Sequence, residues 1–181
     1  MGTDKGMLKP ESRTWGQTAI DKMAALNIAV KISVNNNQLP AYSTVFSSKN
    51  LIADNSSLCL SGPLLGVLSS HLQYPSEDLF IFACDMPLME PFLLQELNAL
   101  YLLHSSYDVY IFTNDGDPEP LCGIYTSKGL SAILTKLREG ALTRHSMKFI
   151  LGLLHVKIVP ATDEQKKYFR NVNDPAGLDG L

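Results

Sequence analysis

The sequence has few cysteines and no long basic run, and each absence excludes a class of protein. Its 181 residues include only three cysteines (Cys59, Cys84 and Cys122) and no CxxC pair, which argues against a disulfide framework and a cysteine-rich zinc site. No run of five Lys and Arg occurs and the formal net charge is -3, so binding to nucleic acid is not expected. The cysteine content fits a reducing compartment, and we expect a cytoplasmic protein.

Apolar segments are also too short for a membrane protein. No apolar stretch approaches the roughly 20 residues of a membrane-spanning helix. Residues 1–20 carry scattered charges and no apolar core, so no signal peptide is predicted. With 45% hydrophobic and 18% charged residues, the composition is that of a globular protein. We expect residues 1–181 to form a single domain with no membrane contact.

Helical and strand patterns alternate along the chain. The predicted helices cover 15–26, 62–72, 91–103, 130–138 and 144–151, with a short helix from Pro175. The predicted strands cover 28–34, 51–53, 79–83, 109–112, 121–125 and 155–159. This alternation predicts an α/β fold, a three-layer α/β/α sandwich with a mostly parallel, Rossmann-like sheet.

Polar residues directly follow three of the predicted strands. Asn35, Asp54 and Asp85 are expected at one rim of the sheet, where ligands of open α/β sheets bind. Asp85 follows the continuous apolar run 79–83, and a carboxylate held by a rigid strand suits Mg²⁺. Alternatively, Asp85 caps the next helix or closes a turn with Pro87. A role in a turn is also the alternative for Asp54 and for Asn35.

Two glycine-containing segments are suited to close contact between backbone and ligand. Gly62 to Gly66 stand at a predicted helix start, although this string is also an ordinary loop-to-helix junction. Gly2, Lys5 and Gly6 resemble the end of a phosphate-binding loop, in which glycine backbone approaches the phosphates and lysine neutralises them.

Other polar residues are more typical of structure than of function. Arg144 and His145 fit a solvated helix surface. Asp117 and Glu119 fit a solvated turn, and Cys84 fits buried packing rather than a nucleophile.

Several motifs, in order along the chain, resemble the molybdenum cofactor guanylyltransferases, the MobA family of the nucleotidyltransferase superfamily. Residues 1–8 (MGTDKGML) are similar to the latter half of the family's LAGGxSxRMGxDK signature, and residues 62–66 (GPLLG) match its GPLxG element. Residues 83–87 (ACDMP) resemble the CDxP metal motif, residues 119–121 (EPL) its xPL strand, and residues 171–175 (NVNDP) its NVNxP motif.

The resemblance implies a nucleotidyltransferase of the nucleotide-diphospho-sugar transferase fold. The reaction would join GMP from GTP to molybdopterin, giving molybdopterin guanine dinucleotide and pyrophosphate. Lys5 would contact the GTP phosphates, and Asn35 and Asp54 would line the nucleotide site. Asp85 would bind Mg²⁺, and Asn173 would assist the metal or a substrate phosphate.

The resemblance also implies the full set of site residues and the partners of the protein. The nucleotide site would consist of Gly2, Lys5, Asn35, Asp54, Gly62, Asp85 and Asn173, with Lys5 and Asp85 as the catalytic residues and Asp85 and Asn173 at the metal. GTP and molybdopterin would be the substrates, and transient complexes with molybdopterin-handling proteins are expected.

The sequence is compatible with two alternative functions. The first is a sister enzyme, such as a cytidylyltransferase acting on molybdopterin, because phosphate and metal handling are shared across the superfamily. The second is a non-catalytic nucleotide-binding protein. The family's first strand and its LAGGxSxR loop do not occur in the chain. Either they precede Met1 in the native protein, which we expect, or the chain is a truncated product.

Overall fold

The computed structural model describes residues 4–10, 12–104 and 106–172. The helices are α1 Trp15–Ala24, α2 Leu39–Ser43, α3 Pro63–Gln73, α4 Pro91–Leu103, α5 Ser127–Arg138 and α6 Met147–Leu151. The strands are β1 Ile32–Val34, β2 Leu51–Ala53, β3 Leu79–Phe82, β4 Val109–Asn114, β5 Asp117–Tyr125 and β6 Val156–Pro160. Short 3-10 helices cover Lys5–Met7, Ser48–Asn50, Ser56–Leu58 and Lys166–Phe169.

Local sequence signals explain where the long helices begin. Helix α1 starts with a capping box, in which the Thr14 side chain accepts from the backbone N–H of Gln17 and the Gln17 side chain accepts from the backbone N–H of Thr14. Helices α3 and α4 begin at Pro63 and Pro91, where a missing N–H costs no hydrogen bond. These starts lie at, or within one residue of, the positions that the sequence predicts.

The strands form two sheets. Strands β1 and β2 pair in parallel, and the larger sheet has the order β3-β5-β4-β6. Strand β4 is parallel to β6 and antiparallel to β5, which is also antiparallel to β3. Three of the four strands in the larger sheet therefore point the same way, and the mostly parallel arrangement predicted from the sequence is confirmed.

Strand β5 reverses direction because a tight turn joins it to β4. Asp115 and Gly116 connect the two strands with φ angles of +52° and +83°. A two-residue hairpin loop of type I′ needs positive φ at both of its central residues, and Asp-Gly is a preferred pair for that turn. Strand β5 consequently begins at Asp117, four residues before the predicted start at Leu121.

Helices cover both faces of the larger sheet. One apolar cluster joins Leu64 and Leu68 of α3 with Leu130 of α5, and Leu79 and Ile81 pack against it. A second cluster joins α1 and α4 with the opposite sheet face, and Phe80 and Phe82 of β3 pack against that one. The alternating side chains of β3 thus serve two cores, which confirms the three-layer sandwich.

Some element boundaries differ from the predictions. Helix α2 had no predicted counterpart, and α6 begins at Met147 instead of residue 144 because Ser146 caps it. Strand β1 begins at Ile32 instead of residue 28. The helix predicted from Pro175 lies outside the described residues. Within the described ranges, no helix has the length and apolar character needed to cross a membrane.

Candidate active site

A salt bridge joins the two residues to which the family resemblance assigns a catalytic role. Lys5 opens the 3-10 helix Lys5–Met7, called the lysine turn below, and its Nζ lies 2.8 Å from Oδ2 of Asp85. Asp85 follows β3 by three residues. The Lys5 and Asp85 side chains are 38% and 20% exposed, so the pair is anchored by the fold and still open to a ligand.

Of the two alternative roles of Asp85, the helix cap is not observed, whereas the residue does lie in a turn after β3. Helix α4 begins at Pro91 and its N-cap is Glu90, so Asp85 does not cap it. The backbone carbonyl of Asp85 accepts a hydrogen bond from Val172 N–H at 2.9 Å, while the carboxylate faces Lys5. Among the described residues, Oδ1 of Asp85 has no hydrogen-bond partner. Within that part of the chain, the contact with Lys5 uses only Oδ2 of the carboxylate.

The lysine turn is held by a carboxylate at its start. Asp4 is the N-cap of the turn, and its Oδ1 accepts the backbone N–H of Gly6 at 3.1 Å. The same oxygen accepts the hydroxyl of Tyr42 at 3.0 Å, and Oδ2 accepts Nε2 of Gln38 at 2.9 Å. Two residues from the region of α2 thus fix the backbone that carries Lys5.

Asn35 contributes to this arrangement through a turn. Its Oδ1 accepts the backbone N–H groups of Asn37 at 3.0 Å and of Gln38 at 2.9 Å. Oε1 of Gln38 accepts the N–H of Asn35 at 3.0 Å. The turn role is therefore present, and it orients Gln38 toward Asp4. Asn35 reaches the lysine turn indirectly, through Gln38.

Asp54 and Gly62 belong to other parts of the fold than the salt bridge, the end of β2 and the start of α3. Asp54 follows β2, its N–H donates to the Val34 carbonyl at 2.9 Å, and burial raises the pKa of its half-buried carboxyl. Gly62 is the N-cap of α3 with a φ of +71°, a conformation that favours glycine. In the part of the chain that the structure describes, no hydrogen bond connects either residue to Lys5 or Asp85.

Helix α3 approaches β1 and β2 closely at a glycine. A Cβ on Gly66 would lie 2.5 Å from Oγ of Ser33 and 3.6 Å from Oδ1 of Asp54. Gly66 therefore lets the first turn of α3 pack directly behind the carboxyl end of the small sheet. This contact gives the last glycine of the GPLLG string a packing role.

Two further candidates, Gly2 and Asn173, lie outside the described residues. The chain immediately before Asn173 is fixed, however, because Val172 is 3% exposed and donates its N–H to the Asp85 carbonyl. The described chain therefore ends beside Asp85.

Burial sets the electrostatics of the groups around Asp85. It raises the pKa of the Cys84 thiol to about 11, with further contributions from the negative charges of Asp85 and Asp4. Burial also raises the pKa of Glu119, and the carboxylates of Asp117 and Asp85 raise it further, against a lowering effect from Lys148. Glu119 is half-buried in β5 rather than in the solvated turn that the sequence suggests.

The sequence matches a protein-family model, the MobA-like NTP transferase domain, over residues 1–155. It is also 31% identical over 137 residues to a probable molybdenum cofactor guanylyltransferase of Geobacillus sp. (strain WCH70), an alignment that covers 75% of this chain and 68% of the relative. The chain belongs to the MobA-like NTP transferase family. It is a nucleotidyltransferase related to molybdenum cofactor biosynthesis, as the resemblance of its motifs implies.

Solved structures share the fold of this MobA-like chain. Molybdopterin-guanine dinucleotide biosynthesis protein A from Archaeoglobus fulgidus superposes with a TM-score of 0.76 at 19% identity, covering 97% of this chain and 87% of the other. The bifunctional IspDF from Campylobacter jejuni gives a TM-score of 0.67 at 12% identity, covering 97% of this chain and 48% of the other. At these identities the likeness concerns the fold.

Sequence reasoning missed the residues that hold the lysine turn of this MobA-like protein. Asp4 had a local signal, since Asp is a preferred residue at the start of a helical turn. Gln38 and Tyr42 had no such signal, because they are 34 and 38 positions away from Asp4. Only the packing of α2 against the lysine turn brings them there.

Proposed function

We propose that this chain transfers GMP from GTP to molybdopterin, giving molybdopterin guanine dinucleotide and pyrophosphate. The observation that carries the proposal is the Lys5–Asp85 pair, in which a cation and an anion lie 2.8 Å apart beyond the end of β3. Ligands of open α/β sheets bind at such an edge. The 31% identity to a probable guanylyltransferase over 137 residues supports the choice of substrates.

The proposed reaction is a phosphoryl substitution with no enzyme-bound intermediate. A terminal phosphate oxygen of molybdopterin attacks the α-phosphorus of GTP, a new P–O bond forms, and the bond to the β-phosphate oxygen breaks. The protein must align the two substrates and stabilise the charge that develops on the leaving pyrophosphate. The pKa of about 11 keeps the Cys84 thiol protonated near neutral pH, which supports a route without a cysteine nucleophile.

Lys5 is the residue proposed to stabilise the leaving pyrophosphate. Its ammonium is more than a third exposed, so it can contact phosphate oxygens while Asp85 remains beside it. The hydrogen bonds from Asp4 to the lysine turn fix where the Lys5 backbone lies. A cation held in this way needs little reorganisation during the reaction.

Asp85 is the residue proposed to hold Mg²⁺, and its surroundings fit that ion. In the described ranges no group of three or more His, Cys, Asp or Glu side chains could hold a metal alone. Mg²⁺ commonly binds through one or two carboxylates together with substrate phosphates and water, so a single carboxylate is a sufficient protein donor. Asn173 is proposed as a second oxygen donor. When bound, the ion neutralises phosphate charge.

The substitution Asp85→Asn tests the catalytic proposal. It keeps the shape of the side chain and removes its charge, so GMP transfer should fall by about 100-fold or more. Asp163→Asn is the matched control, because Asp163 also pairs with a lysine, Lys166 at 2.6 Å, but on the exposed surface. Both variants should keep their circular dichroism spectrum. Normal transfer by Asp85→Asn would remove Asp85 from the mechanism.

The choice of base is tested by nucleotide-dependent thermal stability. A ligand that binds only the folded state raises Tm according to its concentration relative to Kd. With Mg²⁺ present, GTP should raise Tm more than CTP at the same concentration. A larger shift with CTP would refute guanylyl transfer in favour of a cytidylyltransferase, and nucleotide binding without any transfer to molybdopterin would indicate a binding protein.

The proposal extends to partners and compartment. Transient complexes with molybdopterin-handling proteins are proposed as the source of one substrate, and the cytoplasm as the location. Chemical crosslinking to a purified molybdopterin-carrying protein, compared with and without molybdopterin, tests the first point. Fractionation of cells that express the chain tests the second.

A further inference from the structure

Tyr42 lies directly beneath the backbone that carries Lys5. Its hydroxyl donates to Oδ1 of Asp4 at 3.0 Å, and the same oxygen accepts the N–H of Gly6 at 3.1 Å. A Cβ on Gly6 would lie only 2.1 Å from the Tyr42 oxygen, so the turn rests against the hydroxyl with no space between them. Lys5 is the residue between Asp4 and Gly6.

We propose that Tyr42 is a positioning residue for Lys5: its hydroxyl fixes Asp4, and Asp4 fixes the turn that aims the Lys5 ammonium at Asp85 and at the substrate phosphates. This inference rests on the proposed function, since it concerns how that function's cation is placed. Tyr42 itself does not contact Lys5 in this arrangement. Its effect passes through Asp4.

The ring of Tyr42 is anchored independently of its hydroxyl. Tyr42 is 5% exposed and belongs to a small apolar cluster with Val34 and Leu51. Its ring stacks on Phe46 with the ring centroids 5.6 Å apart. Packing therefore determines where the hydroxyl lies, and the hydroxyl determines where Asp4 lies.

The charge of Asp4 keeps the Tyr42 hydroxyl a donor. Burial raises the pKa of Tyr42 far above its usual value, and the charge and the hydrogen bond of Asp4 raise it further. The hydroxyl is thus protonated throughout the working pH range of enzymes. Both oxygens of Asp4 already accept hydrogen bonds, one from Gln38 and the other from Tyr42 and Gly6.

Removing the hydroxyl alone should loosen the lysine turn without unfolding it. In Tyr42→Phe the ring keeps its packing, and Asp4 keeps Gly6 and Gln38 as donors. The Asp4 carboxylate gains freedom to rotate toward Lys5 and compete with Asp85 for the ammonium. Because Lys5 is proposed to act on the leaving pyrophosphate, the loss should fall on kcat more than on the KM for GTP.

The experiment compares Tyr42→Phe with Tyr101→Phe. Tyr101 also donates its hydroxyl to a carboxylate, Asp78 at 2.6 Å, and lies on α4, so the control loses the same kind of bond elsewhere. Three measurements are made on each variant. They are the kcat and KM of GMP transfer, the affinity for magnesium pyrophosphate, and the ¹³C NMR signal of reductively methylated Lys5, assigned from its absence in Lys5→Arg.

Tyr42→Phe should lower kcat by about tenfold or more, weaken pyrophosphate binding, and move the Lys5 signal toward those of exposed lysines. Tyr101→Phe should leave all three unchanged. Tyr42→Phe with a wild-type Lys5 signal and wild-type kcat would overturn the proposal, as would equal effects in both variants. If the wild-type chain does not transfer GMP, the proposed function fails, and pyrophosphate binding with the Lys5 signal still decides whether Tyr42 positions Lys5.

Discussion

Replacing Gly6 with alanine is expected to destabilise the protein mainly through one contact, with the hydroxyl of Tyr42. An alanine Cβ would lie 2.1 Å from this oxygen and 3.3 Å from the ring carbon that carries it, while ordinary contact begins near 3.4 Å. Either the ring or the lysine turn must move, and the Tyr42–Asp4 hydrogen bond cannot survive that movement. The expected cost is about 1–3 kcal/mol for overpacking and about 1.5–3 kcal/mol for a hydrogen bond to a charged group.

Two further variants separate the contact from the backbone effect of the substitution. In the double variant Gly6→Ala with Tyr42→Phe, the clashing oxygen is gone, and the nearest atoms are the ring carbon at 3.3 Å and Sγ of Cys84 at 3.5 Å. Its destabilisation should be smaller than the sum of the single effects by about 1–2 kcal/mol, because the two sites share one contact. Gly152→Ala is the control, since its nearest neighbour would lie 3.4 Å away and Gly152 has a helical φ of -68°.

Urea unfolding followed by fluorescence measures these differences. The chain has a single tryptophan, Trp15, which is 2% exposed and whose backbone N–H donates to the Leu8 carbonyl just beyond the lysine turn. Its emission therefore reports exposure near the altered residues. If Gly6→Ala costs no more than Gly152→Ala, or if the double variant is additive, the packing between Gly6 and Tyr42 described here is wrong.

Three more predictions concern titrating groups. Iodoacetamide at neutral pH should modify the exposed Cys59 before Cys84 and Cys122, because burial raises the pKa of those two thiols to about 11 and about 12. Peptide mass spectrometry should show this order, and equal labelling of the three cysteines would contradict it. Burial lowers the pKa of His71 below its ordinary value of 6.5, so the contribution of the neutral imidazole to stability is complete above pH 6.5 and is lost as the pH falls from 6.5 through the lowered pKa. In urea unfolding below pH 6.5, the wild-type chain should therefore lose stability more steeply than His71→Gln. Parallel losses in the two proteins would refute this. Burial raises the pKa of Glu119 above its ordinary value of 4.5, so stability is lost as the pH rises from about 4.5 through the raised pKa. Glu119→Gln should therefore raise Tm at neutral pH and leave it unchanged at about pH 4, whereas a lower Tm at neutral pH would contradict the role of burial.

The sequence was sufficient to predict features that depend on neighbouring residues. Pro63 and Pro91 mark the starts of α3 and α4, because proline favours the first helical turn. The apolar run at 79–83 predicts a strand with two covered faces, and β3 does divide its side chains between two apolar clusters. Asp85 is a candidate metal ligand for the same reason, since it follows the end of this apolar run.

Features that depend on distant contacts could not be predicted in this way. Helix α2 has five residues, too few to be stable without tertiary packing, so its periodicity gives almost no signal. The 2.8 Å pair between Lys5 and Asp85 joins residues 80 positions apart. The reversal of β5 depends on the backbone angles of Asp115 and Gly116, which decide between a tight hairpin and a longer loop.

The position of Lys5 therefore depends on a part of the protein with little sequence signal. A short 3-10 helix supplies few hydrogen bonds of its own, so the lysine turn needs partners from elsewhere. Asp4 provides the connection, and its partners Gln38 and Tyr42 are fixed in turn by the Asn35 turn and by a small apolar cluster. Because each of these supports is separate from the two large clusters that cover the main sheet, the placement of Lys5 can change through Tyr42 while most of the fold stays intact.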